Sequence, residues 1–374
     1  MTDWSDAKLD AMRQVGDPRA DDVVAQLFAT RESGEVSALF HRLTTDDEPI
    51  PDQLPDIIRT FFEDTGDLPA FADRALITRG EELFAVHGMS MVCGLFCSAL
   101  PHAYCAHRGA TVLVETGRMV GDFTRRIVET AQFVMDVMAP GGLAGDGRGL
   151  RTTQKVRLIH AALRYLVTHR RQWPTHTLGV PINQEDLAGT LLTFSTVILD
   201  ALDTLELEVS DGEREAYLHA WRCVGHLLGI RADMIPTDVA DARALYAAIV
   251  RRQFGASAQG TLLTQALLDA MATYVPGDAF DGATAVYVRH FLGDALADSL
   301  GVPPPNWTEL VFRAQASVAR IFDHVTERSP LIAHLFGGFN RAIMESLSVA
   351  YRSGKGVGFR IPSALRQRWQ LSDA

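Results

Sequence analysis

The stretch Thr153–Arg171, TTQKVRLIHAALRYLVTHR, decides the fold class. Its apolar residues and one histidine recur at three- and four-residue intervals, the spacing that lines one face of an α-helix. The members of this face are Val156, Ile159, His160, Leu163 and Val167. The same period dominates the rest of the chain, and no sustained apolar/polar alternation of the strand type interrupts it. The sequence therefore predicts an all-α protein.

Around this stretch we expect three segments: an N-terminal helical arm, a central core, and a C-terminal helical extension packed on the core. They comprise residues 1–71, 72–235 and 236–374. In the arm, the apolar spacing predicts one opening helix over Leu9–Phe28, and Thr44–Pro55 is an acidic, proline-bearing connection. In the core, Ala139–Gly149 is a glycine-rich loop between two strong helical patterns.

Composition narrows the class of protein. With 47% hydrophobic and 22% charged residues the chain resembles an ordinary globular protein, and its net charge of -11 argues against nucleic acid as a partner. The first residues include acids and no apolar stretch, so we expect no secretory signal and a cytoplasmic location. The most apolar run, Leu83–Leu100, is interrupted by His87 and small residues, which favours a buried core helix over a membrane span.

His160 is the first candidate for chemistry. An imidazole on an apolar helix face suits haem iron, because a neutral ring nitrogen coordinates the metal while the apolar surroundings exclude water. A hydrogen-bonded structural histidine satisfies the same spacing. Arg164 follows one turn later and is placed to pair with a haem propionate; the alternative is a solvated surface arginine.

The preceding helical pattern carries a second polar group. Arg126 and Thr130 share a helix face, and a guanidinium with a hydroxyl near bound O₂ would stabilise negative charge developing on oxygen. The same residues also suit a salt-bridged face, in which Glu129 or Asp122 pairs with Arg126.

Other metal and nucleotide motifs lack support. Three cysteines lie near two histidines, but no C-x-x-C pair occurs, so close helix packing by reduced thiols is a better interpretation than zinc. These residues are Cys93, Cys97, Cys105, His102 and His107. The chain has no G-x-G-x-x-G after a strand, no Walker motif, no H-E-x-x-H and no G-x-S-x-G. The absence of C-x-x-C-H predicts that any haem is held non-covalently.

Several blocks together resemble the latex-clearing protein and MpaB-type oxygenase family of b-type haem oxygenases. Their order and spacing carry the resemblance, which spans most of the chain. The blocks are RQVGDPRADD (13–22), LPHAYCAHRGATVLVETGRM (100–119), RRIVETAQF (125–133), KVRLIHAALRYL (155–166), PINQEDLAGTLLTFS (181–195) and WRCVGHLLGI (221–230).

The resemblance implies a globin-like helical core with additional N- and C-terminal helices, in which residues 72–235 bind haem b. His160 matches the proximal iron ligand of the family, and Arg126 and Thr130 match polar residues of its distal pocket. Rubber-cleaving members have a lysine beside that threonine, where this chain has Glu129, so we expect an open or water-bound distal site. Glu115 is the candidate for the family's distal acid/base carboxylate; the residues alone favour a surface glutamate on a helix.

The family's activity implies a haem-dependent oxygenase that uses O₂ on a double bond of a small, apolar, isoprenoid-like substrate inside the cell. Two alternatives stay open. One is a haem-based O₂ or redox sensor or a peroxidase-like protein on the same scaffold, since fold does not settle function. The other is an isoprenoid-binding protein or synthase without haem, against which the lack of a D-D-x-x-D motif counts.

Overall fold

A computed structural model gives the fold. It describes residues 2–45, 54–116, 123–170, 172–274, 283–304, 344 and 361–369. Throughout this part the secondary structure is helical, with no strand; an isolated antiparallel pairing joins Ala106 and Phe254. The prediction of an all-α protein is confirmed.

The helices are numbered here in chain order. The first eight are α1 (Asp6–Met12), α2 (Pro18–Thr30), α3 (Ser33–Thr45), α4 (Asp56–Asp64), α5 (Arg74–Gly94), α6 (Leu100–Cys105), α7 (His107–Glu115) and α8 (Phe123–Met138). The others are α9 (Arg148–Arg170), α10 (Thr175–Leu178), α11 (Gln184–Thr204), α12 (Asp211–Leu227), α13 (Val239–Gln253), α14 (Ala258–Tyr274), α15 (Ala283–Leu292), α16 (Asp294–Ser299) and α17 (Ser363–Arg368).

Two compact units make up the chain. The first comprises Met1–Phe84, Gln132–Thr196 and Ser210–Gln253, and the second comprises Ala85–Ala131, Val197–Val209 and Phe254–Ala374. The division into arm, core and extension stays a prediction.

In the first unit, the N-terminal helices pack around one side of α9. The buried side chains of this core come from α2, α3, α4 and α9, and each large aliphatic residue removed from water contributes about 1.5–3 kcal/mol. Its members include Val24, Leu27, Leu39, Leu43, Ile58, Phe62, Leu158, Ala161 and Ala162. The N-terminal segment therefore supports the helix that carries His160.

The single opening helix predicted over Leu9–Phe28 is wrong. The chain forms α1 and α2 instead, with a break before Pro18, which occupies the first helical position of α2. Proline disfavours helical backbone at the residue before it and cannot donate a helix hydrogen bond, so the helix is interrupted before Pro18. The apolar spacing in the sequence continues across this break and therefore does not reveal it.

The predicted glycine-rich loop is confirmed as the turn that joins α8 to α9. Its glycines pass close to the end of α8: a Cβ on Gly149 would lie 2.5 Å from the carbonyl oxygen of Asp136. The Leu150 N–H donates to the Gly142 carbonyl at 2.9 Å, and the Gly141 N–H donates to the Glu81 carboxylate at 3.1 Å. The loop thus fixes the start of α9.

In the second unit, α5 runs through one π-helical segment, Leu95–Ala99, into α6. All five residues of that segment are buried, and the four cysteines of the chain are free and buried. Two stretches, Arg74–Cys105 and Gln184–Thr204, are long and apolar enough to cross a membrane. In the first stretch 78% of the most apolar 18-residue window is buried within the protein, and in the second stretch 67% is buried. Core helices of globular proteins are buried in the same way.

Candidate haem and oxygen site

His160 lies on a partly exposed side of α9. Other positions of this helix are fully buried, as at Thr153 and Leu158, both 0% exposed. The side with the histidine is partly exposed at Val156, Ile159, His160 and Leu163. In the part of the chain that the structure describes, this side of the helix is therefore partly open, with the imidazole near its edge, beside buried Val167.

This surface fits a b-type haem. Imidazole is the usual protein ligand of haem iron, and aliphatic neighbours give the porphyrin an apolar seat while they limit water at the metal. A hydrogen-bonded structural histidine stays the alternative interpretation. The donor chemistry of His160 and its apolar neighbours fit the predicted role, and the ligand assignment stays a prediction.

Arg164 is buried, with 4% of the residue exposed, so its interpretation as a solvated surface arginine is wrong. Its Nε donates to Asp21 Oδ1 at 2.7 Å, and its Nη1 donates to the Ile182 carbonyl at 3.0 Å. Among the described residues no acceptor lies within hydrogen-bond distance of the third nitrogen, Nη2. Two of its three nitrogens are therefore committed to the protein, and the contact with a propionate stays a prediction that rests on Nη2.

In the second unit, α8 brings Arg125, Arg126 and Glu129 together. Arg125 Nε donates to Glu129 Oε1 at 2.9 Å, and Arg126 Nη1 donates to Oε2 of the same carboxylate at 3.3 Å. These side chains are 20–27% exposed. The salt-bridged interpretation is thus correct for Glu129, whereas Asp122 lies outside the described residues.

Thr130 donates its hydroxyl hydrogen to the Arg126 carbonyl at 2.8 Å, one turn back along α8. This bond fixes the side-chain rotamer and leaves the hydroxyl oxygen as an acceptor. Arg126 and Thr130 share a helix face, as the sequence predicts. The group on α8 therefore contains the Arg126 guanidinium, which Glu129 orients, and the Thr130 hydroxyl, which the Arg126 carbonyl orients.

Glu115 is the last residue of α7 and is partly buried. The chain between Thr116 and Phe123, which separates it from α8, lies outside the described residues. Its role as an acid/base carboxylate therefore stays a prediction.

Sequence reasoning missed Tyr104, which is buried on α6. Burial raises the pKa of its phenol far above the ordinary value, and the positive charge of nearby Arg126 opposes that rise only in part. The phenol thus stays protonated beside the guanidinium. The sequence signal that could have identified Tyr104 was its place in the LPHAYC block. An aromatic residue in an apolar helix most often belongs to the hydrophobic core, so this signal was not specific.

Residues 84–321 match the family model for the catalytic domain of the ER-bound oxygenase mpaB/B′ and rubber oxygenase, and the chain belongs to this family. It is therefore an oxidoreductase.

Individual relatives agree with this assignment. The chain is 24% identical over 364 residues to the rubber oxygenase of Streptomyces sp. (strain K30), which covers 94% of this chain and 86% of that protein. It is similar in fold to a solved structure of latex clearing protein LCP in the closed state, with a TM-score of 0.71 and 24% identity. That match covers 90% of this chain and 91% of the other.

Proposed function

We propose that this protein is a b-type haem oxygenase that uses O₂ to oxidise or cleave a double bond in an apolar, isoprenoid-like substrate. The observation that carries the haem assignment is His160 on the partly open side of α9, beside Val156 and Leu163. Membership of the oxygenase family supports the reaction class. The haem would be non-covalent, and His160 would hold its iron.

When bound, the haem supplies the binding and activation of O₂. The protein contributes the rest. The His160 imidazole would hold the iron through a neutral ring nitrogen, and Val156, Ile159 and Leu163 would limit water around this nitrogen. Arg164 Nη2 is the donor that remains for a propionate.

On the oxygen side, the Arg126 guanidinium would stabilise negative charge that develops on oxygen, because a preorganised cation needs little reorganisation during the reaction. Glu129 holds this guanidinium through the 3.3 Å ion pair. Thr130 offers a fixed hydroxyl, and Tyr104 keeps its proton beside Arg126. Glu115 is proposed as the carboxylate that moves a proton to or from substrate.

The relatives support the proposed substrate class. The Streptomyces protein is a rubber oxygenase, so a polyisoprene-like double bond is the chemistry that its name implies. For this chain we propose a small intracellular molecule with a prenyl-type alkene, and a cytoplasmic location is part of that proposal.

The test is spectroscopic and then catalytic. We expect the purified protein to carry one haem b that acid–acetone extracts, and His160→Ala to lose most of it. His169→Ala is the matched control, because His169 lies on the same helix but is exposed and stacked on Tyr165 at 4.0 Å. This control is expected to keep its haem.

Products are then sought by mass spectrometry after incubation with prenylated compounds under ¹⁸O₂. Incorporation of label into a cleaved or oxidised alkene supports the oxygenase. A haem-loaded protein that binds O₂ reversibly and gives no labelled product with any alkene favours the sensor alternative. Full haem retention by His160→Ala contradicts the ligand assignment.

A further inference from the structure

Two aspartates of the N-terminal segment form ion pairs with α9. Asp17 binds Arg157 in a bidentate pair, with Nε–Oδ2 at 2.5 Å and Nη2–Oδ1 at 2.9 Å. Asp21 binds Arg164 at 2.7 Å. We call these four residues the aspartate clamp. Each pair joins residues at least 140 positions apart in the sequence.

The clamp flanks His160. Arg157 and Arg164 are seven residues apart, so they lie on one face of α9, roughly 20° apart in rotation and about 10 Å apart along the axis. His160 follows the first by three residues and precedes the second by four, which places it on the same side of the helix, between the two arginines along the axis. Two anchors two turns apart oppose both rotation of α9 and its sliding along its axis.

The residues around the first pair are fitted closely to it. Gly229 has a φ of +80°, and a Cβ there would lie 2.4 Å from Asp17 Oδ2 and 2.6 Å from Arg157 Nε. The Gln184 side chain donates to the carbonyls of both Gly16, at 2.7 Å, and Gly229, at 3.1 Å. The aspartate therefore cannot change position without displacing backbone on two sides.

An adjoining side of α9 is held by apolar packing. Leu158, Ala161 and Ala162 are buried in the core formed with α2, α3 and α4. His160 lies at the border between the side held by the ion pairs and the partly exposed side of the helix. The N-terminal helices thus determine which way that face points within this unit.

We propose that Asp17 and Asp21 are positioning residues for His160, which set the orientation of the axial ligand by holding α9 at two points. This inference rests on the proposed function, since it assumes that His160 ligates haem iron. The aspartates do not contact the metal. Their effect reaches it through the rotation and axial position of the helix.

The test compares Asp17→Asn and Asp21→Asn with Asp64→Asn. Asp64 is the matched control because it pairs with Arg19 of α2 at 2.9 Å, but both side chains are about half exposed and neither lies on α9. Hydrogen exchange of the α9 amides is measured in the haem-free protein. Electron paramagnetic resonance and the reduction potential are measured in the haem-loaded protein.

We expect both clamp variants to exchange the amides of residues 158–163 at least about tenfold faster than the wild type, because local opening becomes easier. We also expect a changed ferric ligand-field spectrum and a shifted potential at normal haem content. Asp64→Asn should match the wild type in all three. Asp17→Glu, which keeps the charge, should restore the spectrum more fully than Asp17→Asn.

If Asp17→Asn does not fold, Asp21→Asn decides the matter, because Asp21 is one-third exposed and its loss is tolerated more easily. An unchanged spectrum and potential in a folded, haem-loaded clamp variant overturn the positioning role while the proposed function stands. Equal changes in Asp64→Asn overturn it as well. A wild-type protein that binds no haem contradicts the proposed function itself.

Discussion

The ion pairs on α9 and those on α8 differ in range and in exposure. On α9, Arg157 and Arg164 are nearly buried and bind aspartates at least 140 positions away. On α8, Arg125 and Arg126 bind Glu129 within one helical turn, and all three side chains are 20–27% exposed. The same chemical group therefore serves two different purposes in one chain.

The difference indicates which contacts can give way to a ligand. Breaking a buried pair leaves a desolvated charge and costs about 3–5 kcal/mol, whereas an exposed pair contributes about 0–1 kcal/mol. The arginines of α9 are fixed parts of the framework. The pair of Arg126 with Glu129 is local and partly exposed, so its rearrangement costs little.

The largest expected effect comes from Arg157→Met. The change leaves the Asp17 carboxylate buried without its cation, so we expect a loss of about 3–5 kcal/mol in the free energy of unfolding. Urea unfolding measures it, with Arg19→Met as the exposed control at under about 1 kcal/mol. Equal losses in the two variants would remove the distinction between buried and exposed pairs.

Arg126→Ala is expected to leave the free energy of unfolding within about 1 kcal/mol of the wild type, because its pair is local and partly exposed. Turnover should fall by about 10²–10³, as for the loss of one preorganised donor, while haem content is retained. Thr130→Ala should be milder. The measurement is product formation per haem, and undiminished turnover would take Arg126 out of the mechanism.

The binding of carbon monoxide tests the proposed oxygen-binding position without the need for a substrate. Glu129 is held by two arginines, and the family resemblance predicts an open or water-bound distal site, so we expect that no internal ligand has to leave the iron. We expect the ferrous protein to bind CO in one fast phase in stopped-flow experiments, and Glu129→Gln to do the same. Slow, biphasic uptake by the wild type would indicate a capped iron instead.

The smallest effect concerns a neutral long-range contact in the same unit as α9. His219 Nε2 accepts a hydrogen bond from the Asp73 N–H at 2.9 Å, and burial, aided by the charge of Arg222, lowers the pKa of this imidazole. The folded state therefore binds the proton less readily than the unfolded state, and stability falls as the pH drops below about 6.5 toward the folded-state pKa.

In His219→Gln the amide oxygen replaces the acceptor nitrogen and does not titrate in this range. We expect the melting temperature of this variant to fall less between pH 7.5 and 5.5 than that of the wild type. Identical pH profiles would show that the imidazole does not need to be neutral in the fold.

The sequence predicts those features that depend on neighbours within one or two turns. The helical period of Thr153–Arg171 predicts α9 and its histidine face, and the spacing of Arg126 and Glu129 predicts their ion pair. The aspartate clamp escapes such reasoning because its partners are far apart along the chain. For the same reason Arg164 could not be distinguished from a surface arginine before the structure placed Asp21 beside it.

Periodicity also misleads where a backbone rule overrides it, as at the break before Pro18. Tyr104 shows the opposite limit. Its apolar neighbours predict burial correctly, but the helix gives no information about a cation from another segment of the chain. Sequence reasoning therefore predicts the helices but misses the long-range contacts between charged groups.

The aspartate clamp also constrains the order of events during synthesis. Asp21 is translated before the rest of this group, and among the described residues the last one around the clamp is the Arg231 N–H, which donates to Gln184 at 2.8 Å. About 210 further residues separate the two, a wait on the order of ten to forty seconds at about 5–20 residues per second. During that interval the clamp cannot form completely, so a nascent chain that ends before Arg231 offers chaperones and proteases an incompletely packed apolar surface.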